Sequence, residues 1–100
     1  MDKSEHIIEM EKILDEFTLR FEKLNEDLEF FDNHIDDYSK LVDYYYSDQW
    51  NKDFEDDNKG LIDPKLKRGV LSEDAIFDLI GDCYYTNIKM LEIATKYLKK

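Results

Sequence analysis

The residues best suited to chemistry in this chain are its carboxylates, one arginine and a set of aromatic rings. Asp and Glu number 25 of 100 residues, and some pair at helical spacing: Glu26 with Glu29, and Asp53 with Asp56, each at i and i+3. Two such pairs on facing helices would hold Mg²⁺, an oxygen-ligand ion, in the manner of all-α nucleotide pyrophosphohydrolases. That defines one function class, a small metal-dependent nucleotide hydrolase. A chain this acidic produces such pairs by chance, and Asp53 and Asp56 fall in a segment that reads as a linker. No cofactor is therefore expected, and the hydrolase stands as the alternative. An EF-hand fails, because placing Gly60 at the sixth loop position puts Lys59 at a ligand position and Leu66 at the twelfth. A di-iron bundle fails too, since neither His6 nor His34 has Glu three residues before it. Cys83 is the single cysteine, which excludes an internal disulfide and a cysteine-based zinc site. It falls on the apolar side of a helical pattern, where a buried, unreactive thiol is the ordinary outcome. No Ser, His and Asp set is placed for nucleophilic catalysis, so no catalytic residue is assigned.

A second constellation is Arg68 with Ser72, Glu73 and Asp74. A cation and a hydroxyl at the start of a helix could receive an anion. Two acids beside that site argue against it, and the preferred reading is structural: Ser72 caps the helix, and Arg68 pairs with an acid of the first helix and pins the linker. The aromatics form the third constellation. Tyr44, Tyr45 and Tyr46 are consecutive, so one narrow helical stripe cannot bury all three; Tyr84 and Tyr85 repeat the problem. Some rings must cover the linker or reach the surface, and Tyr and Trp are enriched at binding hot spots. The candidate partner-binding or linker-anchoring residues are therefore Tyr44, Tyr45, Trp50, Arg68, Ser72, Glu73 and Asp74.

The elements that position these residues follow from periodicity. Apolar residues recur at Ile7, Met10, Leu14, Phe17, Phe21, Leu24, Leu28, Phe31, Ile35, Tyr38, Val42 and Tyr45, with steps alternating three and four. This is the a/d seam of a left-handed supercoil, and no Gly or Pro interrupts it before Gly60. The pattern predicts one helix over about residues 4–46 with Ser4 as N-cap. A break near Asn33 would turn it into a hairpin; the unbroken register argues for continuity. A second helix is predicted over about residues 72–98, capped by Ser72, with Glu73 and Asp74 in its first turn and Lys96, Lys99 and Lys100 at its end. Gly81 inside it suggests close approach of another backbone. Between them, residues 47–71 read as an ordered linker. There Asp63-Pro64 opens a short helical turn over Pro64–Arg68, and Gly69 ends it. The expected fold is all-α over residues 1–100: an antiparallel helical bundle of a long N-terminal heptad helix, a linker with a helical turn, and a C-terminal helix.

Several of these stretches also resemble a known family. Tyr44-Tyr45 with Ser47 and Trp50, then Pro64 with the run Leu66-Lys67-Arg68-Gly69-Val70-Leu71-Ser72-Glu73-Asp74-Ala75, then Met90-Leu91, are similar to the small bacterial domain-of-unknown-function family 4298. Ile8 through Leu14, with Met10-Glu11, resembles that family's opening segment. The sequence departs from the family pattern at Tyr46, where a small residue is more usual, and at Phe77, where Tyr is common. The resemblance implies a compact bacterial helical protein and no reaction.

Charge and composition bound the function. The chain has 14 Lys and Arg, a formal net charge of −11 and a pI near 4.5. Residues 1–57 hold 19 acids and 6 bases, a balance of −13, while residues 58–100 hold 6 acids and 8 bases, a balance of +2. A phosphate-seeking surface shows the opposite sign, so direct nucleic-acid or membrane binding is not expected. The N-terminus is too charged for a signal peptide, which points to the cytoplasm. The leading expectation is a non-enzymatic protein–protein interaction module or regulator, with a DNA-mimic inhibitor as one form of it. The N-terminal helix outreaches the C-terminal one, which would leave Ile7, Met10 and Leu14 uncovered; a homo-oligomer, specifically a dimer, is expected to cover them.

Overall fold

The computed structural model describes residues 3–100, and it is all-α. Four α-helices follow in order: α1 over Lys3–Asn33, α2 over Ile35–Tyr45, α3 over Asp48–Asn58 and α4 over Ala75–Leu98, with a single 3-10 turn at Gly69–Leu71. By internal contacts the chain divides into two units, residues 1–37 and residues 38–100.

The first unit is helical from Lys3, so Ser4, expected as the N-cap, is the second residue of α1. Every side chain from Ser4 to Asp37 is exposed. The expected continuous helix over 4–46 is interrupted at His34 and ends at Tyr45. The interruption is one residue wide. The His34 amide still donates to Phe30 O at 3.0 Å and also reaches Phe31 O at 3.3 Å, a shared bond between the i−4 and i−3 carbonyls. The His34 ring draws on the same carbonyl, with Nδ1 at 2.8 Å from Phe30 O, and stacks on the Phe30 ring at 4.1 Å. A side chain competing for its own helix's carbonyl is a recognised cause of local distortion.

The second unit contains the core, and the region expected to be linker supplies much of it. α3 was not expected. Its sequence, DQWNKDFEDDN, is rich in Asp and Asn, which favour turns over helix interiors, and it offers only two rings for an apolar stripe. Both ends are nevertheless strongly specified. Ser47 is the N-cap, its hydroxyl accepting from the Trp50 amide at 3.3 Å while donating to Tyr44 O at 2.6 Å. One hydroxyl thus closes the end of α2 and opens α3. At the other end Gly60 takes φ +72°. Its amide donates to Asp57 O at 3.0 Å and that of Leu61 to Asp56 O at 2.9 Å, the paired bonds of a Schellman motif.

After α3, Asp63 accepts from Lys65 through its side chain at 2.9 Å and from Leu66 through its carbonyl at 3.0 Å, giving a turn at Pro64-Lys65. The helical turn expected over Pro64–Arg68 is therefore shorter than predicted. Gly69, expected to end it, instead begins the 3-10 turn. α4 starts at Ala75, three residues later than expected, yet Ser72 still serves it: its hydroxyl accepts from the amides of Asp74 and Ala75, each at 3.3 Å. The 3-10 turn packs on both α3 and α4. The Tyr45 hydroxyl of α2 donates to Glu73 O at 3.2 Å, just ahead of α4, which ties α2 to the small helical bundle. Its buried residues are Trp50, Leu71 and Ile76.

The glycines separate two backbone demands. A Cβ at Gly60 would meet no atom within 4 Å, so only its positive φ resists substitution. A Cβ at Gly81 would also meet none, which corrects the expectation that a neighbouring backbone requires glycine there. Gly60→Ala is expected to cost about 1–2 kcal/mol, because a Cβ is disfavoured in left-handed backbone. Gly81→Ala is expected to gain about 0.5–1 kcal/mol from helix propensity. Urea unfolding of both variants should show midpoints moving in opposite directions.

Candidate functional site

The aromatic residues at the junction of α2 and α3 form a packed cluster in the second unit. Ser47 sets the angle between the two helices, and this brings Tyr45 against Trp50, edge to face, with ring centroids 5.3 Å apart. One helical turn further, Phe54 stacks parallel on Trp50 at 5.1 Å. The indole N–H of Trp50 donates to Val70 O at 2.8 Å, fastening α3 to the 3-10 turn. Tyr45 reaches the other way to Glu73 O. The segment leading into α4 is thereby held against the aromatic wall.

The result is an open hollow of about 540 Å³, lined by Tyr45, Trp50 and Phe54 on one side and by Glu73, Asp74 and Phe77 on the other. Trp50 is buried, but Phe77 is 60% exposed. Four of the residues singled out from the sequence, Tyr45, Trp50, Glu73 and Asp74, meet here. Phe54 and Phe77 were missed as site residues. The i, i+4 spacing of Trp50 and Phe54 was the available signal, hidden by reading their segment as linker.

The remaining candidates lie elsewhere in the unit. Tyr44 points from α2 to α3, donating to Asp53 Oδ2 at 2.6 Å, and Gln49 donates to Asp53 Oδ1 at 2.7 Å. Both oxygens of Asp53 are thus engaged within the protein, which weakens it as a metal ligand. Arg68 pairs with Asp57 of α3 at 2.5 Å, not with an acid of the first helix as expected. It does hold the segment after α3, as the structural reading requires. Ser72 is occupied by the amides of Asp74 and Ala75. Glu26 and Glu29 are exposed on α1. Among the described residues no group of three or more His, Cys, Asp or Glu is arranged to hold a metal ion. None of the described helices is long and apolar enough to cross a membrane.

Burial, then the hydrogen bond to Asp53 and the charge of that carboxylate, push the Tyr44 phenol up to about 12. Asp53 is correspondingly held below its ordinary carboxylate value, first by the Tyr44 hydroxyl and then by Gln49. Tyr38 is also raised, chiefly by burial and then by Cys83.

A family model, domain of unknown function DUF4298, matches residues 7–93. That span is most of the chain, and the protein belongs to this family. No curated protein matches it.

The Tyr44–Asp53 pair makes a pH prediction. A phenol whose folded value lies above its ordinary 10 contributes stability that is fully present below pH 10 and lost as pH rises to about 12. Stability should therefore fall more steeply over that interval in the native protein than in Tyr44→Phe. In Asp53→Asn, ultraviolet titration of the tyrosines should show the late-ionising phenol moving down toward the others.

Proposed function

We propose that this DUF4298 protein is a non-enzymatic interaction module that assembles as a homodimer through the apolar seam of α1. The observation that carries the reading is a change of environment along one uninterrupted heptad stripe. From Tyr38 onward the stripe residues Tyr38, Val42 and Tyr45 are half-buried within the second unit. Before that point Ile7, Met10, Leu14, Phe17, Phe21, Leu24, Leu28 and Phe31 repeat at the same spacing and are 36–61% exposed. A stripe of a and d positions is the seam of a supercoil and serves no purpose on a solvated helix.

Energetics support a partner of the same kind. Isolated helices are marginal in water and draw most of their stability from covering an apolar face. The side-chain ion pair on α1 among the described residues is Arg20–Glu16 at 3.0 Å, with both side chains exposed. Such a pair contributes about 0.3–0.5 kcal/mol, too little to hold 31 residues helical. The eight seam side chains, at on the order of 100 Å² each, would together supply about 800 Å², one partner's share of a standard interface. A second copy presents the same stripe in the same register. The charged residues on the remainder of the helix would stay in water and keep the assembly soluble.

Leu14→Glu with Phe21→Glu tests this. Both residues are exposed in the protein, so the change disturbs no contact within the second unit. The native protein should melt at a temperature that rises with concentration, as mass action requires of an oligomer. The double variant should lose that dependence and part of its helical circular-dichroism signal. Unchanged helicity, with a concentration-independent melt in both proteins, would contradict the reading.

A further inference from the structure

The hollow between α3 and the start of α4 lies wholly in the second unit, and its chemistry is distinct from that of the α1 seam. It is lined by the aromatic residues Tyr45, Trp50, Phe54 and Phe77, by Asn51 and by the acids Glu73 and Asp74. No basic residue lines it among the described residues. Aromatic faces carry negative potential and attract cations. The α4 N-terminus brings a partial charge of about +0.5, which the two carboxylates outweigh. The side chains of Glu73, Asp74 and Phe77 are left available to solvent. Asp74 makes no capping bond with its side chain, and Glu73 meets Tyr45 through its backbone carbonyl. Phe77 stays mostly exposed at the rim.

We infer that this hollow receives an arginine side chain from a basic segment of a protein partner. Among biological cations, guanidinium fits the set of groups best. It is planar, so it stacks on an exposed ring such as Phe77, and its fork of N–H donors suits a carboxylate at the same time. Its alkyl stem would lie along the exposed Phe77 ring. The net charge of −11 would draw a basic segment in and give the encounter a salt dependence. This inference concerns a heterologous partner and does not depend on dimerisation through α1.

Trp50 is the single tryptophan of the chain and a wall of the hollow, so its fluorescence reports occupancy directly. The probes are two blocked pentapeptides, Gly-Gly-Arg-Gly-Gly and the same peptide with citrulline, which keeps the shape of arginine and removes its charge. Titration of the native protein should give a saturable change with the arginine peptide and a much smaller one with citrulline. Glu73→Gln with Asp74→Asn should weaken binding about tenfold or more, as expected for lost charge-assisted hydrogen bonds. Phe77→Ala should weaken it about two- to fivefold, the range for one cation–π contact. Asp36→Asn with Asp37→Asn, which removes the same charge from the first unit, should leave it unchanged. Circular dichroism of each variant checks that the helices persist. The inference is overturned by equal responses to the two peptides, by native-like binding in the Glu73/Asp74 variant, or by no response up to ~10 mM, where even a contact worth about 4 kcal/mol would register.

Discussion

The hydrogen bond from the Trp50 indole to the Val70 carbonyl is the contact on which the second unit depends. It joins a short helix that has poor intrinsic propensity to a 3-10 turn that has almost none. Without it, Trp50 would bury a donor with no partner, and Val70 would lose an acceptor's partner in a half-dry environment. With it, the two remaining core residues, Leu71 and Ile76, are carried into place on either side of the chain entering α4. Tyr45, Phe54 and the Arg68–Asp57 pair then tie the same segments together from other directions. A core of three buried residues is small, and polar bonds at defined positions compensate for what apolar area does not provide.

The first unit works under the opposite constraint. α1 has a long apolar stripe, few internal pairings and no residue buried among those described. The heptad register passes from α1 into α2 with no skipped position, so one sequence pattern serves two environments. In the second unit it contributes Tyr38, Val42 and Tyr45 to the bundle. In the first it presents the seam on which the proposed dimer rests. Outside the stripe α1 is rich in charged residues, although Ile8, Ile13, Leu19 and Phe30 are also exposed there.

The all-α class and the end of the last helix at Leu98 were legible from spacing alone, because long periodic patterns override local detail. α3 was not, and the reason is physical: its helicity comes from its ends and from two stacked rings, not from propensity or a stripe. Ser47 and Gly60 carried the signal. Each sits at one boundary of the segment, and reading the two as one helix's caps would have found it. The same oversight misassigned the partner of Arg68, since Asp57 was taken as linker. Of the site residues, Tyr45, Trp50, Glu73 and Asp74 stood out by type and position. Phe54 and Phe77 did not, because their role depends on how α3 and α4 approach the 3-10 turn, and no sequence spacing records that.

Sedimentation equilibrium of the intact protein in the micromolar range addresses the central claim most directly. The chain has a mass of 12.1 kDa, and the account predicts a species of twice that mass that dissociates on dilution. A single species of one chain's mass across the range, with its helices intact, would contradict it.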